Sequence, residues 1–502
     1  MRLHEKSPPE GTLRDWTDAR AAQGGTGFVF PEGEPDLGWQ ELRQTAERIA
    51  RLLSGKGIAP GESVAVMMPN GRAALECLFG MLYGGFRATV INLAAGPDAI
   101  AYALEHSEAR FAFVGEGQQG LFDKAAAGRM ITRLDPAEPP AQGAPLHSIA
   151  PDSHALLMYT SGTTGRPKGV VHTQSSLLAG GWTTAVAHKL TPEDRGLCVL
   201  PICHINGLCV TVMGTLVSGG SLAMVPKFSA GRFWAQAGEA GATWFSVVPT
   251  IISHLLHSDA APDAKTCSRL RFGRSASSAL APDVQRAFED RFGLPVIETM
   301  GLTETAAQIL SNPLPPAVRK IGSPGIAFGN EAAILAPDLT LAPQGQEGEL
   351  AVRGPNVMVQ YLKNPEATAG TFTPGGWLRT GDLARQDEDG YIFVTGRLKE
   401  LIIKGGENIA PREIDEALYS HPDVVEAAAF ARPCPNYGER VEAAVALRAG
   451  STVAEEELIE ICRERIGAFK SPDRVHFLAE LPKGPSGKIQ RLKLQNANLG
   501  GN

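Results

Sequence analysis

The side chains and glycines that could do chemistry are densest between Tyr159 and Gly169, in the run Tyr-Thr-Ser-Gly-Thr-Thr-Gly-Arg-Pro-Lys-Gly. This run follows an apolar segment, 155–158, whose composition predicts a strand. Glycines let the backbone approach a polyanion, while backbone N–H groups, hydroxyls and a lysine ammonium can surround phosphate oxygens. We therefore expect a nucleotide site that takes ATP. The residues expected to bind its phosphates are Thr160, Ser161, Gly162, Thr163, Thr164, Gly165 and Lys168.

The run differs from the Walker A phosphate loop, which ends in Gly-Lys-Ser/Thr. Here Pro167 stands where the last glycine would be, and Gly169 follows the lysine. An ordinary polar turn rich in Gly, Ser and Thr is the alternative interpretation. The length of the run and its density of hydroxyls favour the phosphate-binding loop.

A second run, Glu-Thr-Met-Gly-Leu-Thr-Glu at positions 298–304, follows a predicted strand at 295–297. Ligand sites in α/β proteins lie at the carboxyl ends of strands. Thr303 offers a hydroxyl to phosphate, and Glu304 offers a carboxylate to Mg²⁺, which prefers oxygen ligands. The alternative is a helix start in which Thr303 is the cap and Glu304 meets the helix dipole.

Three further residues are candidates with weaker signals. Asp382 follows a glycine and could accept both hydroxyls of a ribose, although an ordinary Asx turn also has this pattern. Lys488 lies in a basic segment, 482–491, where a lysine is usually solvated. His204 lies among apolar residues, where a single histidine is more often structural than functional.

The elements that must position these residues follow an alternating pattern up to about residue 300. Short apolar strands and alanine-rich helices succeed one another, which implies parallel sheets covered by helices. Strands are predicted at 63–68, 88–93, 110–114, 197–200, 222–225, 244–248 and 270–274, and helices at 42–55, 73–83, 229–240 and 282–292. A small β-rich piece is expected after residue 320, and an α+β domain after residue 400.

Composition narrows the class of protein. The chain has 502 residues, which is too long for one ordinary core, and a net charge of −7 without a basic tract. This charge argues against nucleic acid or an anionic membrane as the main partner. The seven cysteines form no C-x-x-C pair, which favours reduced thiols in a cytoplasmic enzyme over a disulfide framework. The N-terminal 14 residues lack an apolar signal core, and no apolar stretch is long enough to span a bilayer.

Together the motifs resemble those of the acyl-adenylate-forming, AMP-binding superfamily, which includes acyl-CoA synthetases, luciferases and the adenylation domains of peptide synthetases. The resemblance extends from about Trp39 to Arg491, with the motifs in the family's order. It implies a large α/β N-terminal domain, 1–396, with helix-covered parallel sheets and a β-rich subdomain. A small mobile α+β lid, 397–502, would follow, with a hinge at Lys399.

The resemblance also implies roles for individual residues. Lys488 would bridge the substrate carboxylate and the α-phosphate, His204 would line the acyl pocket, and Thr303 and Glu304 would hold nucleotide and magnesium. Relatives carry an aromatic residue against adenine where this chain has Met300. The remaining residues expected to contact ATP or CoA are Ser275, Glu298, Thr299, Met300, Gly301, Asp382, Arg397, Lys399, Lys404, Gly405 and Gly406.

The implied reaction joins a carboxylic acid to a thiol with ATP, through an acyl-adenylate, with Mg²⁺ as cofactor and coenzyme A as the acceptor. Because only eleven residues follow Arg491, we expect free CoA, with a separate carrier protein as the alternative. The segment 228–316 is most similar to oxalate–CoA ligases, which indicates a small or polar acid. Ala306 and Ala307 stand where those ligases have a histidine, which argues against oxalate. A fatty acid is the other alternative, since Ile205, Val210, Met213 and Trp244 would suit an apolar chain, and a nucleotide-binding sensor is the non-enzymatic one.

Overall fold

The computed structural model describes residues 3–160, 167–484, 487–497 and 499. Its helices are α1 (Leu13–Gln23), α2 (Trp39–Gly55), α3 (Arg72–Gly84), α4 (Pro97–His106), α5 (Gln119–Ala125), α6 (Gln174–Ala187), α7 (Gly214–Ser218), α8 (Phe233–Ala240), α9 (Pro249–His257), α10 (Ala264–Arg269), α11 (Pro282–Phe292), α12 (Pro365–Thr371), α13 (Pro411–Leu418), α14 (Glu455–Ile466) and α15 (Arg491–Asn496). Further helical turns are the 3₁₀ segments Glu116–Gln118 and Thr303–Thr305 and the π-helix Asn206–Met213.

The strands are β1 (Thr26–Val29), β2 (Leu37–Gly38), β3 (Ser63–Met67), β4 (Arg87–Val90), β5 (Phe111–Val114), β6 (Thr132–Leu134), β7 (His154–Thr160), β8 (Lys168–Thr173), β9 (Arg195–Cys198), β10 (Ser221–Met224), β11 (Trp244–Val247), β12 (Phe272–Ser275), β13 (Val296–Leu302), β14 (Ala307–Ser311), β15 (Ile326–Ala327), β16 (Glu331–Leu335), β17 (Gly348–Arg353), β18 (Gln360–Tyr361), β19 (Leu378–Gln386), β20 (Ile392–Arg397), β21 (Ile402–Lys404), β22 (Glu407–Ile409), β23 (Val424–Cys434), β24 (Gly438–Leu447) and β25 (Arg474–Phe477).

Two large mixed sheets form the main body of the protein. One has the order β15-β14-β13-β12-β11-β9-β10-β1-β2, and the other has the order β18-β8-β7-β4-β3-β5-β6. The central strands are parallel, as the alternating pattern predicts, while β2, β8, β14, β15 and β18 join antiparallel at the edges. One hydrophobic core, built from α2, α3, α6, the π-helix and the facing sides of both sheets, connects the two sheets. The predicted α/β class is confirmed.

Most predicted elements occur close to their expected positions. The helix predicted at 282–292 is α11 with the same bounds, and the helix predicted at 42–55 is α2, which begins three residues earlier at Trp39. The buried face of α2 carries the four residues whose helical spacing predicted the helix, and each is fully buried: Leu42, Ala46, Ile49 and Leu53. The predicted strand at 155–158 is the centre of β7.

The β-rich piece predicted after residue 320 is the antiparallel sheet β16-β17-β19-β20. From β21 onwards the chain builds another sheet, β22-β21-β24-β23 with β25 parallel to β24, covered by α13 and α14. We refer to residues 402–497 as the C-terminal unit. Its own apolar core contains Ile414, Leu418, Val441 and Leu458, all fully buried. The predicted boundary at residues 396 and 397 falls at the end of β20.

The C-terminal unit contacts the main body chiefly through α9 and β23. Ser253 donates its hydroxyl to the backbone oxygen of Val425 at 2.6 Å, and Nε2 of His254 lies 3.0 Å from Oε1 of Glu426. Lys483, also in the C-terminal unit, places Nζ 2.6 Å from the same Glu426 oxygen. Burial opposes ionisation of Glu426, yet these hydrogen bonds hold its pKa below the ordinary value.

Seven free thiols are present, and Cys77, Cys198, Cys209 and Cys462 are buried. Burial raises the pKa of the Cys198 thiol to about 11, so this group behaves as a small apolar residue. Among the described residues, no helix combines the length and the apolarity that crossing a membrane requires.

Candidate active site

The predicted phosphate-binding run begins at the end of β7 and ends at the start of β8. Thr160 ends β7 and pairs in register with Lys168 at the start of β8. Ser161, Gly162, Thr163, Thr164 and Gly165, predicted to bind phosphate, lie outside the described residues.

Tyr361 connects Lys168 to Glu304. Nζ of Lys168 lies 4.5 Å from the centre of the Tyr361 ring, which is a cation–π contact. The Tyr361 hydroxyl donates to Oε1 of Glu304 at 2.8 Å. Burial, and then the Glu304 charge, raise the pKa of Tyr361, so its hydroxyl stays protonated and remains a donor. The neutral side chain of Tyr361 thus contacts both the Lys168 ammonium and the Glu304 carboxylate.

The turn that carries Thr303 and Glu304 is held by distant residues. Nε2 of His172, on β8, donates to the backbone oxygen of Thr303 at 2.6 Å, and burial lowers the pKa of His172 to about 4, so the ring is neutral. The backbone N–H of Met358 donates to the backbone oxygen of Glu304 at 2.7 Å. The side-chain amide of Asn356 donates to the backbone oxygen of Thr305 at 2.8 Å. This turn is a 3₁₀ segment after a strand, so the alternative of a capped α-helix is wrong.

Glu304 fits the role of a magnesium ligand. Its Oε1 accepts from Tyr361, and its other oxygen makes no hydrogen bond with the residues that the structure describes. No group of three or more His, Cys, Asp and Glu side chains in the described part of the chain could hold a metal by itself. One carboxylate together with substrate phosphates is the usual way in which proteins bind Mg²⁺.

The residues before the turn belong to β13. Glu298 is buried, its Oε1 accepts from the backbone of Leu280 at 3.1 Å, and burial raises its pKa to about 7. Thr299 donates its hydroxyl to the backbone oxygen of Ser275 at 3.3 Å, while the Ser275 hydroxyl is buried and has no partner among the described residues. Met300 is half-buried and packs against the core beneath β14. These side chains line the carboxyl ends of β12 and β13.

Gly301 allows β13 and β14 to approach each other closely, a role that the sequence motif does not predict. A Cβ atom at this position would lie 1.8 Å from the backbone oxygen of Ala307, because β13 and β14 approach each other closely where their register shifts. Ala306 and Ala307 then take positive φ angles of 45° and 82°. Only glycine at position 301 leaves room for this sharp reversal, which directs the 303–305 turn.

Asp382 and Arg397, which are predicted to contact the ribose of ATP, are direct partners in the structure. They face each other on β19 and β20, and Nε of Arg397 donates to Oδ1 of Asp382 at 2.6 Å. The Asp382 charge raises the pKa of Arg397, so this guanidinium remains charged. Oδ2 of Asp382 is buried and has no partner among the described residues, as expected of an acceptor that waits for a ligand hydroxyl. Asp382 lies within β19, four residues after its start.

Lys488 comes to the same place from the C-terminal unit. The adjacent Gly487 accepts a hydrogen bond from the Thr250 hydroxyl at 3.1 Å, which docks the lysine segment on α9. Lys488 is exposed at the surface, yet the nearby protein desolvates its ammonium, and this desolvation, followed by the positive charge of Arg397, lowers its pKa to about 8. The charges of Asp382, Glu400 and Glu304 act in the opposite direction.

His204 lies near Lys488. Burial, and then the positive charge of Lys488, lower the pKa of His204 to about 4, so the imidazole is neutral at physiological pH. Its Nε2 is buried without a partner among the described residues. The structure therefore brings Lys488, His204, Asp382, Arg397 and Glu304 into one cleft, although they are spread over most of the chain.

Four predicted residues lie outside this cluster. Lys399 is exposed in the turn after β20. Lys404 is buried in the C-terminal unit, where Nζ donates to the backbone oxygen of Phe469 at 2.9 Å. Gly405 and Gly406 have φ angles of 61° and 88°, which are the positive values of a tight hairpin turn between β21 and β22. Within the part of the chain that the structure describes, these four residues make no hydrogen bond or ion pair with the Asp382–Lys488 cluster.

Sequence reasoning missed several residues that shape the site. Tyr361 and His172 gave no signal of their own, because their partners are 57 and 131 residues away. Arg274 ends the strand predicted at 270–274 and belongs to no predicted site, yet it is fully buried at the carboxyl end of β12.

Comparison with known proteins agrees with this geometry. Residues 16–362 match the model of the AMP-binding enzyme family, and residues 413–488 match the AMP-binding enzyme C-terminal domain. A sulfoacetate–CoA ligase of Cupriavidus necator is 46% identical over 93% of this chain and 94% of its own length. An oxalate–CoA ligase of Arabidopsis thaliana is 36% identical over 96% of each chain.

Solved structures show the same fold. The ATP-bound crystal structure of MatB from Rhodopseudomonas palustris has a TM-score of 0.87 and 29% identity, covering 97% of this chain and 99% of its own. The anthranilate–CoA ligase AuaEII in complex with anthranoyl-AMP has a TM-score of 0.88 and 25% identity, covering 97% of each chain.

These matches confirm the predicted resemblance and the predicted activity of an ATP- and CoA-dependent acid–thiol ligase. The first matched range contains Lys168, Thr303 and Glu304, and the second ends at Lys488, while Asp382 and Arg397 lie between the two ranges. The chain belongs to the AMP-binding enzyme family.

Proposed function

We propose that the cleft between the main body and the C-terminal unit ligates a small two-carbon acid with a second acidic group to CoA, with sulfoacetate as the first candidate. The observation that carries this proposal is the position of Lys488, which lies beside His204, Arg397, Asp382 and Glu304 and keeps a pKa of about 8. A cation at this place would contact both the substrate carboxylate and the α-phosphate that this carboxylate attacks.

The acid follows from the relatives and from the packing. The two relatives above act on sulfoacetate and on oxalate, both of which are two-carbon acids with two acidic groups. Val210, Met213 and Trp244, which could have lined a channel for an apolar chain, are instead buried in the main core. Ala306 and Ala307 stand where a histidine was expected for oxalate, which favours sulfoacetate over oxalate.

In the first half-reaction, a carboxylate oxygen of the acid attacks the α-phosphorus of ATP. The bond between the α-phosphorus and the bridging oxygen breaks, and pyrophosphate leaves with the electron pair. Lys168 and the loop before it would hold the β- and γ-phosphates, Asp382 and Arg397 the ribose, and Lys488 the charge that develops at the α-phosphate. Magnesium, held by Glu304 and the phosphates, would neutralise negative charge on the leaving group.

In the second half-reaction, the sulfur of CoA attacks the acyl carbon, the thiol proton passes to solvent, and AMP leaves with the electron pair of the acyl–oxygen bond. In the present arrangement Lys488 lies beside the residues proposed to hold ATP, so we propose that the C-terminal unit rotates about Lys399 between the steps. The boundary at residues 396 and 397 would then separate two moving bodies. The Lys404–Gly406 hairpin, now away from the cleft, would come to the CoA side.

An acid panel tests the proposal. ATP–pyrophosphate exchange is measured with sulfoacetate, oxalate, malonate, acetate and octanoate, followed by detection of the CoA thioester for each acid that exchanges. Sulfoacetate should give the highest kcat/KM in both assays. Preference for octanoate, or exchange without thioester formation, would contradict the proposal. We also propose a cytoplasmic location, which the seven free thiols support and which cell fractionation can test.

A further inference from the structure

Arg274 is a buried cation without a counterion. Its side chain is 1% exposed, and Nη1 donates to Oδ1 of Asn206 at 2.9 Å and to the Ser246 hydroxyl at 3.0 Å. Nε lies 3.3 Å from Oε1 of Gln308. All of these acceptors are neutral, and no carboxylate of the described residues pairs with Arg274. Burial lowers the pKa of Arg274 to about 9.

A charge in this situation is costly, because a buried ion needs a partner of opposite sign to offset its lost hydration. Arg20 shows how this chain holds a buried arginine for structural purposes. Its guanidinium donates to the backbone oxygens of Leu216 and Val217 at the carboxyl end of α7, where the helix dipole supplies negative charge. Arg274 lacks any such source of negative charge and is held by three side chains from separate elements.

The position of Arg274 connects it to the acyl side of the cleft. It ends β12 together with Ser275, whose buried hydroxyl has no partner among the described residues. Asn206, which binds Arg274, begins the π-helix two residues after His204, and its amide nitrogen lies 3.3 Å from the Ser277 hydroxyl. Gln308 follows Glu304 by four residues. The cluster therefore borders both the histidine near Lys488 and the turn that carries Glu304.

We propose that Arg274, held by Asn206 and Ser246, is the specificity residue that binds the second acidic group of the substrate. One end of a small diacid would meet Lys488 and be adenylated, while the other end would give Arg274 its missing negative partner. A guanidinium matches the planar carboxylate and the sulfonate alike through paired N–H donors. An acid with a methyl group at that end would leave the charge unpaired. This inference rests on the proposed function.

The test compares sulfoacetate with propionate, in which a methyl group replaces the sulfonate. Arg274→Met removes the charge at similar length, and Arg274→Lys keeps the charge. Arg274→Met should lower kcat/KM for sulfoacetate by about 10²-fold or more and change that for propionate by less than about threefold. Arg274→Lys should retain part of the preference. Arg20→Met is the control matched for burial, and it should lower the melting temperature without changing the ratio between the two acids.

A second variant covers the case in which Arg274→Met fails to fold. Asn206→Asp is nearly isosteric and keeps the acceptor for Arg274, but it supplies an internal counterion. It should raise the KM for sulfoacetate and leave the KM for propionate unchanged, because the substrate must now compete with the aspartate. A readout without turnover is the shift in melting temperature that each acid produces in the presence of a non-hydrolysable ATP analogue. Sulfoacetate should shift the wild type but neither Arg274→Met nor Asn206→Asp.

The outcomes separate this inference from the proposed function. If the wild type ligates sulfoacetate and both variants keep its preference, or lose activity equally with both acids, the role of Arg274 is wrong and the ligase stands. If the wild type ligates neither acid, but sulfoacetate binds in a manner that depends on Arg274, the proposed function fails and the subsite stands. If sulfoacetate neither binds nor reacts, both are overturned.

Discussion

Arg397 donates from Nε to Oδ1 of Asp382 at 2.6 Å, and this leaves Oδ2 of the same carboxylate buried without a partner among the described residues. The carboxylate is thus fixed on one side and open on the other. A vicinal diol such as that of ribose has two hydroxyl donors for such an acceptor.

Asp382→Asn should raise the Kd for ATP by about 10- to 100-fold, because hydrogen bonds to charged groups contribute about 1.5–3 kcal/mol. The amide also removes the counter-charge of Arg397. Isothermal titration with ATP measures the change. Asp389→Asn, at an exposed aspartate whose side chain pairs with Lys320, is the control and should leave the Kd unchanged. An unchanged Kd in Asp382→Asn would remove this residue from the nucleotide site.

Lys488→Ala should reduce adenylation by about 10²- to 10³-fold, the range for loss of one preorganised charge. Thioester formation from a preformed acyl-adenylate should be nearly unaffected, because this lysine acts on the α-phosphate only in the first step. Pyrophosphate exchange and thioester yield are measured separately. Lys493→Ala, at an exposed lysine on α15, serves as the control. Equal losses in both half-reactions would refute the assignment.

The rate of adenylation should depend on pH through Lys488. Its pKa is lowered to about 8, and the ammonium form is the one that binds negative charge. The kcat/KM for the acid should therefore be constant below about pH 7, and above about pH 8 it should fall tenfold per pH unit. Lys488→Arg keeps the cation at all accessible pH values and should abolish this fall. A fall of the same size in Lys488→Arg would assign it to another group.

Lys399→Pro should impair thioester formation far more than adenylation. Lys399 is the third residue of a turn closed by the hydrogen bond from Glu400 N–H to the Arg397 oxygen at 3.0 Å, a position where proline is disfavoured in type I turns. A rigid ring there restricts rotation of the C-terminal unit, while the present arrangement already serves adenylation. Lys399→Ala is the matched control, since it removes the charge and keeps the backbone free. Parallel losses in both half-reactions would show that the hinge lies elsewhere.

The sequence predicted the elements better than the contacts between them. Periodic apolar positions in α2 and α11 report local packing, so both helices could be located closely. The roles of Asp382 and Lys488 were predicted from the resemblance of their motifs to those of the family. Their proximity in one cleft depends on contacts between residues more than a hundred positions apart, which the sequence does not show. His172 and Thr303 illustrate this limit, because nothing local in either segment specifies the other.

Arg274 and the π-helix show a second limit. An arginine at the end of a strand normally reaches solvent, and only the arrival of Asn206, Ser246 and Gln308 from three other elements encloses it. The apolar run that forms the π-helix has no periodic feature that distinguishes it from an α-helix. Burial of a polar group is a property of the assembled fold, so its signal was absent from the chain.

The contact between α9 and β23 contributes to the free energy needed to separate the C-terminal unit from the main body. Glu426 receives both His254 from the main body and Lys483 from its own unit, together with the backbone N–H of Leu481 at 3.0 Å. When the C-terminal unit moves away, Lys483 and Leu481 travel with the carboxylate, and only the imidazole is left behind. Glu426 therefore keeps a cationic partner and a backbone donor, so breaking this contact leaves no unpaired carboxylate and adds little to the difference in free energy between the two orientations. A ligand that binds one orientation slightly more tightly would then be enough to shift the population toward that orientation.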